Sequence, residues 1–239
     1  MMGRAHLVIS TGLSLSALQL ADQEITIPVI VVAVLSSLLP DIDEPNSLLV
    51  SRAIPKTVIR TFQLLLLLAA AAVIFLGEAY SPWNYMLAIA AAIITFLPNR
   101  TLKNVIMILT GIILIAFGSQ ISPWNYIGGS LLILVSFLPH RGLTHTIYGL
   151  VGWTLILYLT TGDISIWLAG GLSYMLHLLA DALTNRGIRI LPPFKYVLRF
   201  RIMSTGSFRG SLVEYLCMGV TLGVVWLTFF LDKNLFTGG

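Results

Sequence analysis

The chain has 239 residues, of which 57% are hydrophobic and only 10% charged, with a mean hydropathy of +0.92. A soluble domain carries about a quarter charged residues, so this composition excludes a water-soluble globule and calls for a membrane as solvent. The lone cysteine, Cys217, excludes an internal disulfide and sits in an apolar run as helix filler.

Apolar runs read against turn signals predict nine helices, near 5–20, 27–39, 58–76, 84–97, 104–117, 126–138, 146–161, 164–181 and 211–231. The fold expected is all-α, a polytopic transmembrane bundle of about nine spans in a single integral membrane domain, 1–239. The basic start Met1-Met2-Gly3-Arg4 resembles a signal peptide, but the apolar stretch contains His6 and no small-x-small site precedes Asp22; it reads as a retained first span. Several runs are short. A 13-residue helix covers roughly 20 Å against about 30 Å of hydrocarbon, so such helices must end inside protein or line a cavity.

Charge sets the orientation. Arg4, Arg52, Lys56, Arg60, Arg100, Lys103, Arg141, Arg186, Arg189, Lys195, Arg199, Arg201 and Arg209 fall on one side of the nine-span arrangement, and only Lys233 on the other. The opposite loops carry Asp22, Glu24, Glu78 and Asp163. The basic side is then cytoplasmic, with the N-terminus inside and the C-terminus outside.

A 41-residue shift carries Ser81-Pro82-Trp83-Asn84-Tyr85 onto Ser122-Pro123-Trp124-Asn125-Tyr126, and Phe96-Leu97-Pro98-Asn99-Arg100 onto Phe137-Leu138-Pro139-His140-Arg141. The reading is a duplicated helical hairpin, about 62–100 and 103–141, with Ser-Pro-Trp starting each returning helix at the membrane interface. Transporters are often duplicated, but here both copies have the same topology and only the second leads into a histidine motif.

The chemistry resides in a few ionisable groups. Intramembrane charges cost several kcal/mol unless paired or coordinated, which makes them functional candidates. His177 and Asp181 stand at i and i+4, on one helix face, and together can hold one ion. Asp41 and Asp43 follow the helix-stopping Pro40, where two acids can reach a cation from a turn. His140-Arg141-Gly142-Leu143-Thr144-His145 puts two histidines and an arginine in a tight turn; His145 is the better ligand, and His140 a helper or proton donor. Arg141 has the planar fork to grip an anionic oxygen. His6 lies one turn into the first span, and Glu214 completes a capping-box pattern, Ser211-Leu-Val-Glu214, that also leaves it available as a ligand or base. All these groups fall at cytoplasmic ends, or about one turn in, of spans that apolar runs and turn signals define.

Together, His6, Leu-Leu-Pro-Asp41-Ile-Asp43, His140-Arg-Gly-Leu-Thr-His145-Thr and His177-x-x-x-Asp181-x-x-Thr-x-x-Gly187 resemble the YdjM-like family, whose members are described as LexA-regulated, membrane-bound metal-dependent hydrolases. Leu191-Pro-Pro-Phe194 and the stretch from Gly210 to Glu214 fit as well, so that the motif-bearing parts are 1–56 and 138–216. The ligand order is also similar to zinc-dependent phospholipase C and the P1-type nucleases, without a second His-x-x-x-Glu/Asp pair near the end.

The resemblance implies a membrane-embedded hydrolase that cleaves a phosphoester in a phospholipid-like substrate at the cytoplasmic face. One or two divalent ions, zinc first and manganese or iron next, would be held by His6, Asp41, Asp43, His145, His177 and Asp181. Arg141, His140 and Glu214 would serve catalysis, and Arg186 and Arg189 would grip the substrate phosphate. Membrane lipids are the expected partners. One apolar-flanked basic loop is no extended groove for nucleic acid. The rival expectations are a cation transporter, whose ligands should cluster near the midplane, and a non-catalytic membrane protein with a closed structural metal shell.

Overall fold

The computed structural model describes residues 1–139 and 142–231, and these form an all-helical protein. In chain order the helices are α1 (Gly3–Leu20), α2 (Ile27–Leu38), α3 (Leu48–Ala53), α4 (Lys56–Leu76), α5 (Trp83–Thr95), α6 (Asn99–Phe117), α7 (Trp124–Phe137), α8 (Ile147–Thr161), α9 (Ile164–Ala182) and α10 (Phe208–Phe230). Short 3-10 turns at Leu39–Asp43 and Leu143–His145 connect them where the acidic and histidine motifs lie.

Four helices, α4, α6, α9 and α10, are long and apolar enough to cross a membrane; α5, α7 and α8 are apolar but shorter. Among the described residues, four of the expected nine spans meet this test of length and composition. Length is one reason the rest do not: α2 has 12 residues and α5 has 13. The other is polarity. In α1, Ser10, Ser14, Ser16 and His6 occupy the buried face and dilute an otherwise apolar helix.

The helices group into two compact units, residues 44–138 and the remainder. In the first unit, α4 packs on α5 and α6 on α7. Each Ser-Pro-Trp-Asn-Tyr copy opens a helix after a 3-10 turn, at Glu78–Tyr80 and at Ser119–Ile121, and buries its asparagine, Asn84 or Asn125. The leucine-rich α4 leaves Leu64, Leu65, Leu67 and Leu68 exposed, as suits a lipid-facing surface. Ser47 caps the short α3 by accepting from the Val50 N–H. The Lys103 ammonium, buried in this unit, donates to the Pro45 carbonyl.

Close approach of α6 and α7 depends on two glycines. A Cβ at Gly111 would lie 2.6 Å from the Gly129 carbonyl oxygen, and one at Gly129 would lie 2.6 Å from the Gly111 carbonyl oxygen. Small residues at such crossings let helix backbones touch without a hydrophobic drive between them. Gly129→Leu is expected to destabilise this hairpin by about 2 kcal/mol, the scale of overpacking, seen as a lower Tm in detergent. An unchanged Tm would contradict the tight crossing.

The second unit carries the motifs. Its α1 packs against α2, α9 and α10, and α9 packs against α2 and α8. Over half of the α9 membrane-length window, 56%, is buried, against at most 17% for the other three long helices. This makes α9 the central element. Ser14 donates to the Ala169 carbonyl and Ser173 to the Ala33 carbonyl, so small hydroxyl residues stitch α1, α9 and α2 together. Trp153 on α8 donates its indole N–H to Ser36 on α2. After α9 the chain leaves helical structure and returns to the end of that helix before α10 begins.

Candidate metal centre

Four elements deliver ionisable groups to the end of α9. Its last turns place His177 and Asp181 on one face, both buried. The 3-10 turn continuing α2 through Pro40 supplies Asp41, and the turn before α8 supplies His145. From α1 comes His6. One ligand atom from each of Asp41, His145, His177 and Asp181 lies within 4.8 Å of all the others.

The closest separations are those of a coordination shell. His145 Nε2 is 3.3 Å from Asp41 Oδ1 and 3.4 Å from Asp181 Oδ2. His177 Nε2 is 3.8 Å and 4.0 Å from the same two oxygens. Ligands held about 2.0–2.1 Å from a tetrahedral ion stand about 3.4 Å apart; the two His145 separations match this and the others are wider, within 4.8 Å, so the four residues could hold a small divalent ion. Imidazole plus carboxylate suits zinc, manganese or iron.

The tautomer of His177 supports the same use. Its Nδ1 lies 2.7 Å from the Ser37 carbonyl oxygen, which can only accept, so Nδ1 carries the proton and Nε2 offers a lone pair. That Nε2 is buried without a hydrogen-bond partner and faces the two carboxylates. An unpartnered buried nitrogen costs about 1–3 kcal/mol, a cost that coordination would remove. A histidine whose other nitrogen is fixed by a carbonyl is the usual arrangement of a metal ligand.

His145 is oriented by a relay. The Thr144 hydroxyl donates to Asp43 Oδ2 at 2.7 Å, and its oxygen lies 3.2 Å from His145 Nδ1, positioned to accept from that nitrogen. The carbonyl of Thr144 accepts from the Tyr174 hydroxyl on α9. Asp43 therefore acts on His145 through Thr144, and the four-residue cluster does not include it. Thr144→Val keeps the shape and cuts the relay. It is expected to weaken metal binding about tenfold, the lower end for such outer-shell changes, in a chelator-competition titration; an unchanged affinity would remove the relay from the site.

His6 takes the far side of Asp181. Its ring stacks on His177 with centroids 3.8 Å apart, and its Nε2 is 3.2 Å from Asp181 Oδ1. The Met1 amino group is 3.2 Å from the same oxygen. Asp181 thus turns Oδ2 to the cluster and Oδ1 to two nitrogen donors. Glu214, also buried, accepts the Met2 N–H at 2.8 Å. The capping-box reading of Glu214 is corrected: α10 begins at Phe208, and Ser207 caps it by accepting from the Gly210 N–H. Arg186 and Arg189 are exposed on the segment after α9, while His140 and Arg141 lie outside the described residues.

Burial and charge act against each other here. Burial alone would raise the pKa of Asp41, but the hydrogen bond from His145 and the positive charge of that ring outweigh it and hold the carboxyl well below the usual range. Burial would lower the pKa of His145, but its hydrogen bonds to Asp181 and Asp41 push it up to about 9. Asp41 is also the opening of the site: its side chain is 19% exposed, against 0–2% for the other three. Sequence alone did not identify Ser37 or Tyr174, whose roles depend on contacts between distant helices, nor Thr144 as a link between Asp43 and His145.

Helices able to cross a membrane, with a buried His–Asp cluster at the end of the central one, define a membrane protein with a candidate metal centre. The family model for YdjM inner membrane protein matches residues 1–231, and the chain belongs to this family. The match runs through both hairpins as well as the motif-bearing ends. Neither the curated proteins nor the solved structures yielded a match to the chain.

Proposed function

We propose that the chain is a metal-dependent hydrolase of the membrane, cleaving a phosphoester in a phospholipid-like substrate at the cytoplasmic interface. The observation that carries this reading is the unpartnered His177 Nε2 facing Asp41 and Asp181, beside the partly open side chain of Asp41. A closed structural site would have no open side, whereas a catalytic one keeps a position for water or substrate.

Asp41, His145, His177 and Asp181 would hold the ion, with His6 supporting or joining them through Asp181. A divalent cation, zinc first, supplies Lewis acidity that yields hydroxide at neutral pH. Arg186 and Arg189, with Arg141, are the cations suited to hold phosphoryl oxygens and stabilise charge that develops on them. Glu214 and His140 are the groups left to move protons. The topology that goes with this reading has about nine crossings, the duplicated hairpin in the middle, and the N-terminus and site in the cytoplasm, as the positive-inside rule directs.

The test uses full-length protein in phospholipid nanodiscs, reloaded with zinc or manganese after chelation. Metal-dependent release of a phosphate-bearing headgroup or of phosphate supports the reading. Ion flux in proteoliposomes without hydrolysis would replace it with transport, and neither activity in the metal-loaded protein would leave a structural centre.

A further inference from the structure

We infer that the segment between α9 and α10, residues 186–209, is a built docking surface for anionic phospholipid headgroups, fixed at the metal centre. The segment carries six basic residues, and no acid occurs between Asp181 and Glu214. It is non-helical over nearly its whole length, so its backbone cannot sit in hydrocarbon. Yet its large side chains are turned outward: Phe194 is 65% exposed, Tyr196 71%, Phe200 58% and Ile202 57%.

Those four residues share one parity, while Lys195, Arg199 and Arg201 hold the other. The backbone between them is not one continuous extended strand, since Arg201 takes a left-handed conformation with φ +56°. All seven are exposed, so the segment presents apolar and aromatic side chains interleaved with positive charge, the combination that seats a surface in the headgroup layer of an anionic membrane.

A flexible positive loop would meet the membrane anywhere; this one is tied down. The Phe200 N–H donates to the Ala182 carbonyl at 2.8 Å, and Ile202 donates to Leu183 at 3.0 Å, immediately after Asp181. Ile188 and Leu198 exchange both backbone bonds, at 3.0 and 2.9 Å. Their pairing needs Gly187, whose φ is +65° and where a Cβ would lie 2.4 Å from the Leu198 carbonyl oxygen. On the other side, the Ile147 N–H donates to the Ile190 carbonyl at 2.9 Å and the Tyr148 hydroxyl to Pro192 at 2.8 Å, two and three residues after His145. The segment is therefore fastened beside two of the four candidate ligands. Headgroup binding stands on these observations alone; that the captured lipid is the substrate rests on the hydrolase reading.

The experiment is competitive lipid retention. Full-length protein is extracted from vesicles of equal phosphatidylglycerol and phosphatidylcholine, and the lipid that stays bound is counted by mass spectrometry. Each basic residue at an anionic surface is worth about fivefold in partitioning, so wild type should prefer phosphatidylglycerol by at least about tenfold. The variant K195Q/R199Q/R201Q should fall to near parity with its metal content unchanged. If that variant does not survive extraction, wild type decides the matter: its preference should collapse between about 0.1 and 0.5 M salt, as the screening length falls below about 5 Å.

No preference in wild type, an unchanged preference in the variant, or a salt-independent preference overturns the inference. Loss of the preference in about 10 mM inorganic phosphate at constant ionic strength also overturns it, in favour of a soluble phosphate compound. A preference that persists in protein with no hydrolytic activity would sink the hydrolase reading and leave this surface intact.

Discussion

Protein purified without chelator is expected to carry stoichiometric divalent metal, and Asp181→Ala is expected to carry almost none, a loss of more than about 100-fold in affinity. Outer-shell partners of metal ligands already account for about 10–100-fold, and Asp181 stands inside that shell. Its Oδ2 is 3.4 Å from His145 Nε2, while its Oδ1 is 3.2 Å from both His6 and the Met1 amino group. The substitution removes one of two carboxylates and leaves these buried nitrogens without their anion. Breaking a buried pair from one side costs about 3–5 kcal/mol, so the alanine variant must be compared with Asp181→Asn, which keeps volume and one acceptor oxygen. A folded Asp181→Asn protein that elutes normally and lacks metal locates the ion at this cluster. Equal metal in wild type and in both folded variants would move the ion elsewhere, and near-zero metal in wild type would end the metal hypothesis.

The parts legible in the sequence were those fixed by local rules. The helix-period spacing of His177 and Asp181 needs only 3.6 residues per turn, and α9 puts both on its buried face. Pro40 marked the end of α2, and the turn beyond it carries Asp41 to the cluster. Most helix positions followed from apolar runs bounded by Pro and Gly, with ends differing by a few residues. The short α3 was missed because six residues give no periodic signal, and its start depends on the Ser47 cap.

What escaped depended on pairing across helices. Asp41 and Asp43 look equivalent two residues apart, but only a fold that brings Thr144 to Asp43 separates them. The stacking of His6 on His177 likewise requires α1 against α9. Nothing in local sequence says that Ser37 offers its carbonyl to His177. The start of α10 was displaced for a related reason: Ser207 and Ser211 both precede an apolar run, and the tie between residues 200–203 and the end of α9 brings the chain to Ser207 first.

Metal affinity should also fall steeply with acid, and the structure fixes the sign. With its pKa pushed up to about 9, His145 is protonated in the metal-free protein at neutral pH, and a ligand nitrogen must give up that proton. Asp41 is held below the usual carboxylate range, so it is already ionised and releases nothing above about pH 4. Binding at pH 7 therefore expels at least the one proton of His145. Below pH 9 the apparent affinity drops about tenfold for each pH unit, since one pKa unit corresponds to about 1.4 kcal/mol. Between pH 8 and pH 6 this amounts to at least about 100-fold, and above pH 9 the contribution disappears. Calorimetry in buffers of different ionisation enthalpy reads the proton directly. In His145→Gln, binding should be weaker throughout and the pH slope shallower by one proton. A wild-type slope of zero from pH 6 to pH 8, or an unchanged slope in the glutamine variant, would mean that His145 does not meet the ion.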